Sequence, residues 1–208
     1  MENSIPMPLT PYNHYNKGEL TQLLDIAREA IRGHLFDDPS GIPELELYTK
    51  KMRLPAACFV TLEVAGQLQG SIGTTRPTLP LVLEVHNKAI SSAYEDRRFM
   101  PLAEEQLDTL TIEVSVLSQL ERLIFEDEAS LIDYLSQYQI GVQLTFDHKQ
   151  AVMLPQAWCQ YTTPSKFIQM LKLKAGLAMN FWHPDIVIEI FTVDSLKEKY
   201  NSIRGQYF

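Results

Sequence analysis

The sequence predicts an α+β fold with a mixed or antiparallel sheet and flanking helices. Strand and helix patterns alternate irregularly along the chain, whereas a doubly wound parallel sheet needs regular strand–helix alternation. Two pairs of strand patterns are each joined by a short turn, which is typical of antiparallel hairpins. The 208 residues, 45% of them hydrophobic, are enough for one domain, with or without a subordinate lobe.

Helical periodicity is clearest in the first half of the chain. Over residues 19–35, apolar residues recur at i, i+3 and i+4 with charged residues opposite, and residues 81–94 show the same spacing. A third helix is predicted to begin at Pro164, with Thr163 as its N-cap. Two shorter helical segments are predicted at 104–107 and 127–137.

Strand patterns form two hairpins and two single strands. The first hairpin has strands 58–64 and 68–72 around a turn at 65–67, and the second has strands 140–146 and 151–154 around a turn at 147–150. The single strands are 110–117, which alternates cleanly between apolar and polar residues, and 186–193. Prolines predict an extended lead-in over 1–17 and a loop over 37–55.

A run of small residues at the end of the first hairpin is the predicted centre of the functional site. Gly70, Ser71 and Gly73 carry little or no side-chain bulk, so another backbone or a ligand can approach closely. Ser71, Thr74 and Thr75 add hydroxyl groups. We predict a loop here and expect the rest of the chain to be arranged around it.

Composition and charge exclude several classes of function. The formal net charge of −8 argues against nucleic acid or an anionic membrane as the main partner. No apolar run approaches the roughly 20 residues that a membrane helix needs, and residues 1–12 do not resemble a secretory signal. Cys58 and Cys159 lie far apart in sequence, which predicts two reduced thiols rather than a disulfide framework. We therefore expect a cytoplasmic protein.

Motifs for metals, phosphates and dinucleotides are missing from the sequence. The five histidines match no metal-ligand spacing. Gly66, Gly70 and Gly73 do not form a G-x-G-x-x-G run, and no lysine follows them as a phosphate loop requires. We expect neither a metal nor a cofactor.

Two further clusters are candidates for the site. Asp96, Arg98 and Phe99 follow the second helix, where opposite charges usually form a local ion pair that closes the turn. Arg98 is also the best anion-binding candidate, because a guanidinium holds a carboxylate or phosphate through two parallel hydrogen bonds. Pro155 and Gln156 end a predicted strand, where packing competes with binding as the explanation.

Ser71 is the candidate nucleophile for a hydrolase reading of the sequence. Such a serine needs a general base within hydrogen-bond reach, and His86 on the next helix is the candidate. The segment from Gly70 to Gly73 is not a G-x-S-x-G motif, so close packing is the favoured explanation for these small residues. The hydrolase reading stays open as an alternative.

Five short motifs occur in a fixed order along the chain. They are L-Q-G-S-I-G at 68–73, D-R-R-F-M-P at 96–101, V-S-V-L at 114–117, L-P-Q at 154–156 and K-A-G-L at 174–177. Together they resemble the AMMECR-type domain family, the protein A component of the AmmeMemoRadiSam system. The corresponding family patterns are L-R-G-C-I-G, D-x-R-F-x-P, V-S-V-L, L-P-Q and K-x-G-L. The similarity covers about residues 18–193.

The resemblance implies one domain over 18–196, in which a larger and a smaller subdomain share a cleft, followed by a polar tail over 197–208. We expect that cleft to bind a small polar or anionic ligand through Gln69, Gly70, Ser71, Gly73, Asp96, Arg98, Phe99, Pro155 and Gln156. The resemblance also implies association, in many microbes, with a Memo-like protein and a radical-SAM protein of a modification pathway. The family's molecular activity is not established, so whether the chain is an enzyme stays open.

Two departures from the family pattern leave a second class of function open. Gln69 and Ser71 stand where the family has arginine and cysteine. Serine without an activating base is a poorer nucleophile than cysteine, and glutamine can hydrogen-bond an anion but carries no charge to pair with it. These departures fit a non-catalytic protein–protein interaction module equally well. A deep polar pocket would favour ligand binding, and an exposed apolar patch would favour the module.

Overall fold

The computed structural model of the chain describes residues 14–38 and 41–200. Within these residues lie four α-helices and two antiparallel four-stranded sheets, so the predicted α+β fold is confirmed. The helices are α1 (Lys17–Leu35), α2 (Leu81–Tyr94), α3 (Glu128–Gln137) and α4 (Pro164–Lys174). The strands are β1 (Cys58–Val64), β2 (Gln67–Thr74), β3 (Leu110–Leu117), β4 (Glu121–Leu123), β5 (Gly141–Phe146), β6 (Lys149–Met153), β7 (Val187–Phe191) and β8 (Val193–Lys199). These elements form two compact units, a larger one with residues 14–117 and 194–200 and a smaller one with residues 118–193.

The larger unit is built on a sheet with the strand order β2-β1-β3-β8, so β2 lies at one edge. β1 pairs antiparallel with both β2 and β3. Val60 and Leu62 of β1 and Ile112 and Val114 of β3 are fully buried, whereas the residues between them are only half-buried. This alternation is the pattern that predicted both strands. Helix α2 packs on β1 and β2, and α1 packs on α2 and β3.

Helix α1 buries the apolar face that its sequence predicts. Asn16 caps the helix, because its side chain accepts the Glu19 N–H while the Glu19 carboxylate accepts the Asn16 N–H, both at 3.0 Å. Leu23, Leu24 and Ile31 are completely buried, and each such side chain contributes about 1.5–3 kcal/mol to folding. Neither α1 nor any other helix of the described residues combines the length and apolar character needed to cross a membrane.

The smaller unit has the strand order β4-β7-β5-β6, and α4 packs on β6 and α3. Its core includes Trp158, whose ring stacks on Phe167 with the centroids 4.0 Å apart. The indole N–H of Trp158 donates to the Ile140 carbonyl at 2.9 Å, so this buried polar group is satisfied.

A completely buried lysine lies in α4. Lys172 Nζ donates to the Glu128 carboxylate at 2.6 Å and to the Met179 carbonyl at 3.4 Å, and it lies 5.4 Å from the centroid of the Trp182 ring. The ammonium therefore ties α4 to the first turn of α3 and to the segment after α4. Lys174, two residues later in the same helix, is exposed.

Several strand boundaries differ from the sequence prediction, and β6 begins at Lys149, inside the turn predicted at 147–150. β2 continues to Thr74, so the residues predicted as a small-residue loop lie inside a strand. The predicted final strand 186–193 is two strands, β7 and β8, and β8 extends into the predicted polar tail. β4 is absent from the prediction because three residues are too few to reveal an alternating pattern. Residues 1–13 and 201–208 of the predicted lead-in and tail lie outside the described residues.

Candidate functional site

The L-Q-G-S-I-G motif at 68–73 lies within the edge strand β2 of the larger unit. Ser71 lies opposite Thr61 of β1, and Ile72 lies opposite Val60. An edge strand presents unpaired N–H and C=O groups that invite pairing with another chain unless they are blocked. What occupies these groups therefore decides what the segment can bind.

Two glycines of β2 allow the protein's own backbone to approach closely. A Cβ atom built on Gly70 would lie 1.9 Å from the carbonyl oxygen of Ser92 in α2. A Cβ atom on Gly73 would lie 2.3 Å from the Cys58 carbonyl oxygen and 2.3 Å from the ring of Phe59. These distances are far below van der Waals contact, so the space above both glycines is filled by protein atoms. The glycines are required for packing of β2 against its neighbours.

The hydroxyl of Ser92 bridges β1 and β2 where α2 crosses them. Ser92 is buried; its Oγ accepts the Ile72 N–H at 2.9 Å and donates to the Val60 carbonyl at 2.8 Å. Both strand groups belong to the same register pair. One side chain of α2 thus satisfies a donor and an acceptor of the sheet and sets how closely the helix lies over Gly70.

An ion pair closes the edge of β2 at Ser71. Asp96 Oδ2 accepts the Ser71 N–H at 2.9 Å, and Arg98 Nη2 donates to the Ser71 carbonyl at 3.1 Å. Arg98 also donates from Nε to Asp96 Oδ1 at 2.9 Å and from Nη2 to Asp96 Oδ2 at 2.6 Å. In a hydrogen-bonded antiparallel pair a residue donates one bond and accepts one. Asp96 and Arg98 together replace that partner strand, and we call them the edge clamp.

The edge clamp shifts the pKa values of both its members. Hydrogen bonds from the Arg98 side chain, together with those from the backbone N–H groups of Ser71 and Arg98, lower the pKa of Asp96 to about 2 against the opposing effect of burial. The hydrogen bond to Asp96 raises the pKa of Arg98. Both groups are therefore charged across the physiological range. The sequence prediction of a local ion pair at this turn is confirmed.

Arg98 remains accessible although its guanidinium is anchored. Its side chain is 51% exposed, while that of Asp96 is only 6% exposed. The guanidinium lies 5.2 Å from the centroid of the Phe99 ring. Gln69 stands beside this turn, because its Nε2 donates to the Met100 carbonyl at 2.7 Å. The arrangement presents one oriented cation, one aromatic ring and one amide near the edge of β2.

The described contacts supply no base for the Ser71 hydroxyl. Ser71 Oγ is hydrogen-bonded to Thr61 Oγ1 at 2.9 Å, and the ring of His86 is hydrogen-bonded to Asn87. Cys58, the buried thiol nearby in β1, is also an unsuitable nucleophile, because burial raises its pKa to about 12. Within residues 14–38 and 41–200, no group of three or more His, Cys, Asp or Glu side chains is arranged to hold a metal ion.

The structure brings together most of the predicted site residues in the larger unit: Gln69, Gly70, Ser71, Gly73, Asp96, Arg98 and Phe99. Pro155 and Gln156 belong to the smaller unit, where they begin the short 3-10 turn Pro155–Cys159 and are half-buried. A share of these two residues in ligand binding stays a prediction.

Sequence reasoning missed two residues that shape this region. Ser92 lies in the small-residue run of α2, which is the signal that could have revealed close approach to a strand. Glu84 is buried in the first turn of α2, and its Oε1 accepts the N–H groups of Thr78 and Leu79 at 3.1 and 3.2 Å. It fixes the segment that follows β2, and only its position early in a helix hinted at such a role.

Comparisons with known proteins agree on one family. The AMMECR1 family model matches residues 24–196. A protein of Methanothermobacter thermautotrophicus is 32% identical over 197 residues, covering 90% of this chain and 98% of that protein. A protein of Thermotoga maritima is 33% identical, covering 79% of this chain and 88% of its own length. The crystal structure of the uncharacterised protein PH0010 from Pyrococcus horikoshii superposes with a TM-score of 0.77 at 28% identity, covering 86% of this chain and 91% of PH0010.

Proposed function

The chain belongs to the AMMECR1 family, as its five motifs predicted, and from that premise we propose that it binds a small polar or anionic ligand beside Arg98 of the larger unit. The observation that carries the proposal is that the Arg98 side chain is both anchored and exposed. Its guanidinium is held in one orientation by hydrogen bonds to Asp96 and Ser71, yet half of the side chain faces solvent.

Anchoring prepares the guanidinium for a ligand. All side-chain hydrogen bonds of Arg98 in the described part of the chain use Nε and Nη2, so the N–H groups of Nη1 are available to an incoming oxygen. A fixed donor loses less conformational entropy on binding than a free arginine side chain does. Because Asp96 offsets the charge, recognition at this site depends on directed hydrogen bonds more than on net attraction. Neutral polar ligands therefore fit as well as anions.

Side chains, rather than backbone N–H groups, supply the contacts in this proposal. The sequence hypothesis assigned backbone donors to Gly70, Ser71 and Gly73, but the Ser71 N–H is occupied by Asp96. Arg98 and Phe99 remain as the charged and aromatic contacts. Gln69 can add its amide, although its Nε2 already donates to the Met100 carbonyl.

We place this binding in a modification pathway that includes a Memo-like protein and a radical-SAM protein. The support is the family resemblance of the whole chain rather than any contact in the structure. In that setting the bound molecule is a substrate, product or modified group of the pathway.

A ligand screen with two arginine variants tests the proposal. Thermal-shift and NMR binding would be measured with carboxylates, phosphate esters and neutral polyols, using the original protein, Arg98→Lys and Arg97→Ala. Arg98→Lys keeps the positive charge but loses the planar guanidinium that can donate two parallel hydrogen bonds. Arg97→Ala is the control, because it removes one positive charge from the exposed neighbouring position and leaves Arg98 intact. We expect hits that Arg98→Lys weakens and Arg97→Ala retains. Identical hits in all three proteins would remove Arg98 from the site.

A non-catalytic interaction module is the second candidate function. Met100 is 81% exposed directly after Arg98 and Phe99, and Leu68 of β2 is 45% exposed. Contiguous patches of exposed apolar side chains mark protein–protein contact surfaces. The test is co-purification of this chain with the Memo-like and radical-SAM proteins of the same organism. If the module is correct, Met100→Ser abolishes co-purification; if neither protein associates with the original chain, these partners are excluded.

A further inference from the structure

We infer that the larger unit docks a basic amphipathic helix of a protein partner in a groove along α1. The groove consists of two adjoining cavities of about 260 and 250 Å³ between α1 and the segment 41–48, with α2 closing the first cavity. Glu29, Gly41 and Ile42 line both cavities, so the two form one continuous depression. The inference is independent of Arg98 and of the ligand proposed above.

The groove has an apolar floor and exposed apolar walls. Ala30 and Ile90 line the first cavity, and Ile26 lines the second. Ile42 and Leu47 also line the groove, although their side chains are 59% and 74% exposed. Large aliphatic side chains left in water beside a depression are typical of a surface that a partner covers.

The rim of the groove is acidic. Five carboxylates line it: Asp25, Glu29, Asp37, Asp38 and Glu44. Arg28 pairs with Asp25, and Arg32 pairs with both Glu29 and Asp38. Asp37 and Glu44 have no ion pair within the described residues, so negative charge remains in excess. The carbonyl end of α1, which carries the negative pole of the helix dipole, adjoins the first cavity at Gly33.

The apolar floor and the acidic rim indicate which kind of partner segment fits the groove. An apolar floor needs apolar anchors, and an acidic rim needs lysine or arginine around them. The first cavity is lined from α1 by Glu29, Ala30, Gly33 and His34, and the second by Asp25, Ile26 and Glu29. The centres of these two sets are offset by roughly 7 Å along the helix, at about 1.5 Å per residue. Apolar side chains at i and i+4 of a docked helix are separated by about 6 Å along its axis. A basic amphipathic helix can therefore place one anchor in each cavity.

Binding of a labelled peptide to the full chain tests the inference. The probe is a fluorescein-labelled amphipathic helix of leucine and lysine, and its counterpart has glutamate in place of every lysine. Fluorescence anisotropy should report binding of the lysine peptide, weakened by added salt, and much weaker binding of the glutamate peptide. Equal binding of both peptides, or no binding of the lysine peptide at low salt, would overturn the inference.

Matched variants locate the binding on the groove. Ile42→Ser combined with Leu47→Ser should weaken binding of the lysine peptide at least about tenfold, because both anchoring walls are removed. Leu54→Ser is the control, since Leu54 is 52% exposed in the same unit but does not line the groove. Circular dichroism checks that each variant is folded. Unchanged affinity in a folded double variant, or equal losses in the control, would contradict the assignment.

Discussion

Replacing Asp96 with asparagine tests whether the edge clamp holds β2 in place. The substitution keeps the size and shape of the side chain but removes its charge. Asp96 accepts four hydrogen bonds, from the Ser71 N–H and from the N–H, Nε and Nη2 of Arg98. An asparagine has only one acceptor oxygen, so two of these donors would face an NH₂ group instead.

The pKa of Asp96 sets the size of the effect. A pKa lowered from 3.8 to about 2 means that folding stabilises the ionised carboxylate by about 2 kcal/mol. This value is an upper bound on the charge effect, because Arg98 is half exposed and solvent screens the pair. The misplaced NH₂ group adds the cost of unsatisfied donors at a site where Asp96 is buried. We therefore expect Asp96→Asn to destabilise the larger unit by about 2 kcal/mol at neutral pH.

The assay must report the larger unit itself. Both tryptophans, Trp158 and Trp182, lie in the smaller unit, so tryptophan fluorescence does not follow the unit that carries Asp96. Amide hydrogen exchange of β1 and β2 in increasing urea gives the required free energy of unfolding. Glu95→Gln is the control, since this neighbouring carboxylate is exposed, and its cost should stay within about 0.5 kcal/mol.

The stability that Asp96 contributes should depend on pH in a defined direction. The folded-state pKa of Asp96 is below its unfolded value, so the stabilisation is fully present above about pH 4 and is lost as the pH falls toward 2. The stability difference between the original protein and Asp96→Asn should shrink over that window. A difference below about 0.5 kcal/mol at neutral pH, or one that does not change between pH 5 and about pH 2, would refute the reasoning.

Three further predictions concern packing, a buried charge and thiol reactivity. Gly70→Ala should lower the free energy of unfolding of the larger unit by about 2 kcal/mol or more, measured by urea unfolding. The new methyl group would overlap the Ser92 carbonyl oxygen of α2. An unchanged free energy of unfolding would mean that α2 is free to move away from β2. Glu128→Ala should destabilise the smaller unit by about 3 kcal/mol, measured by tryptophan fluorescence, and should cost more than Lys172→Met. The reason is that only Glu128→Ala leaves a buried ammonium without its carboxylate. A larger cost for Lys172→Met would contradict the role of this ion pair. In the folded protein, Cys159 should react with a maleimide within minutes while Cys58 stays unmodified until unfolding, as mass spectrometry would show; early labelling of Cys58 would contradict its burial.

Most of the fold followed from local periodicity. The apolar spacing of α1 and α2 and the alternation of β1 and β3 reflect burial of one face, which a sequence displays directly. β8 escaped prediction because it is polar and lies at a sheet edge, where ion pairs such as Lys197 with Glu63 and Arg28 with Glu198 stabilise it. These pairs join residues far apart in sequence, so no local pattern reveals them.

The candidate site was predictable only in part, for the same reason. The pairing of Asp96 with Arg98 is local, and the two residues are close enough in sequence to suggest an ion pair at the helix end. The extension of that pair to Ser71, and the filling of the space above Gly70 by α2, depend on tertiary contacts. Small residues in a sequence indicate close approach, but they do not reveal whether a ligand or the protein itself approaches.

The most direct test of the edge clamp is an NMR pH titration that follows the Asp96 carboxyl carbon and the Ser71 amide in the same protein. We predict that both signals change together with a midpoint of about 2, since Arg98 and the Ser71 N–H both stabilise the ionised carboxylate. A midpoint near the ordinary aspartate value of about 4, with a Ser71 amide that does not respond, would show that the carboxylate does not close the edge of β2.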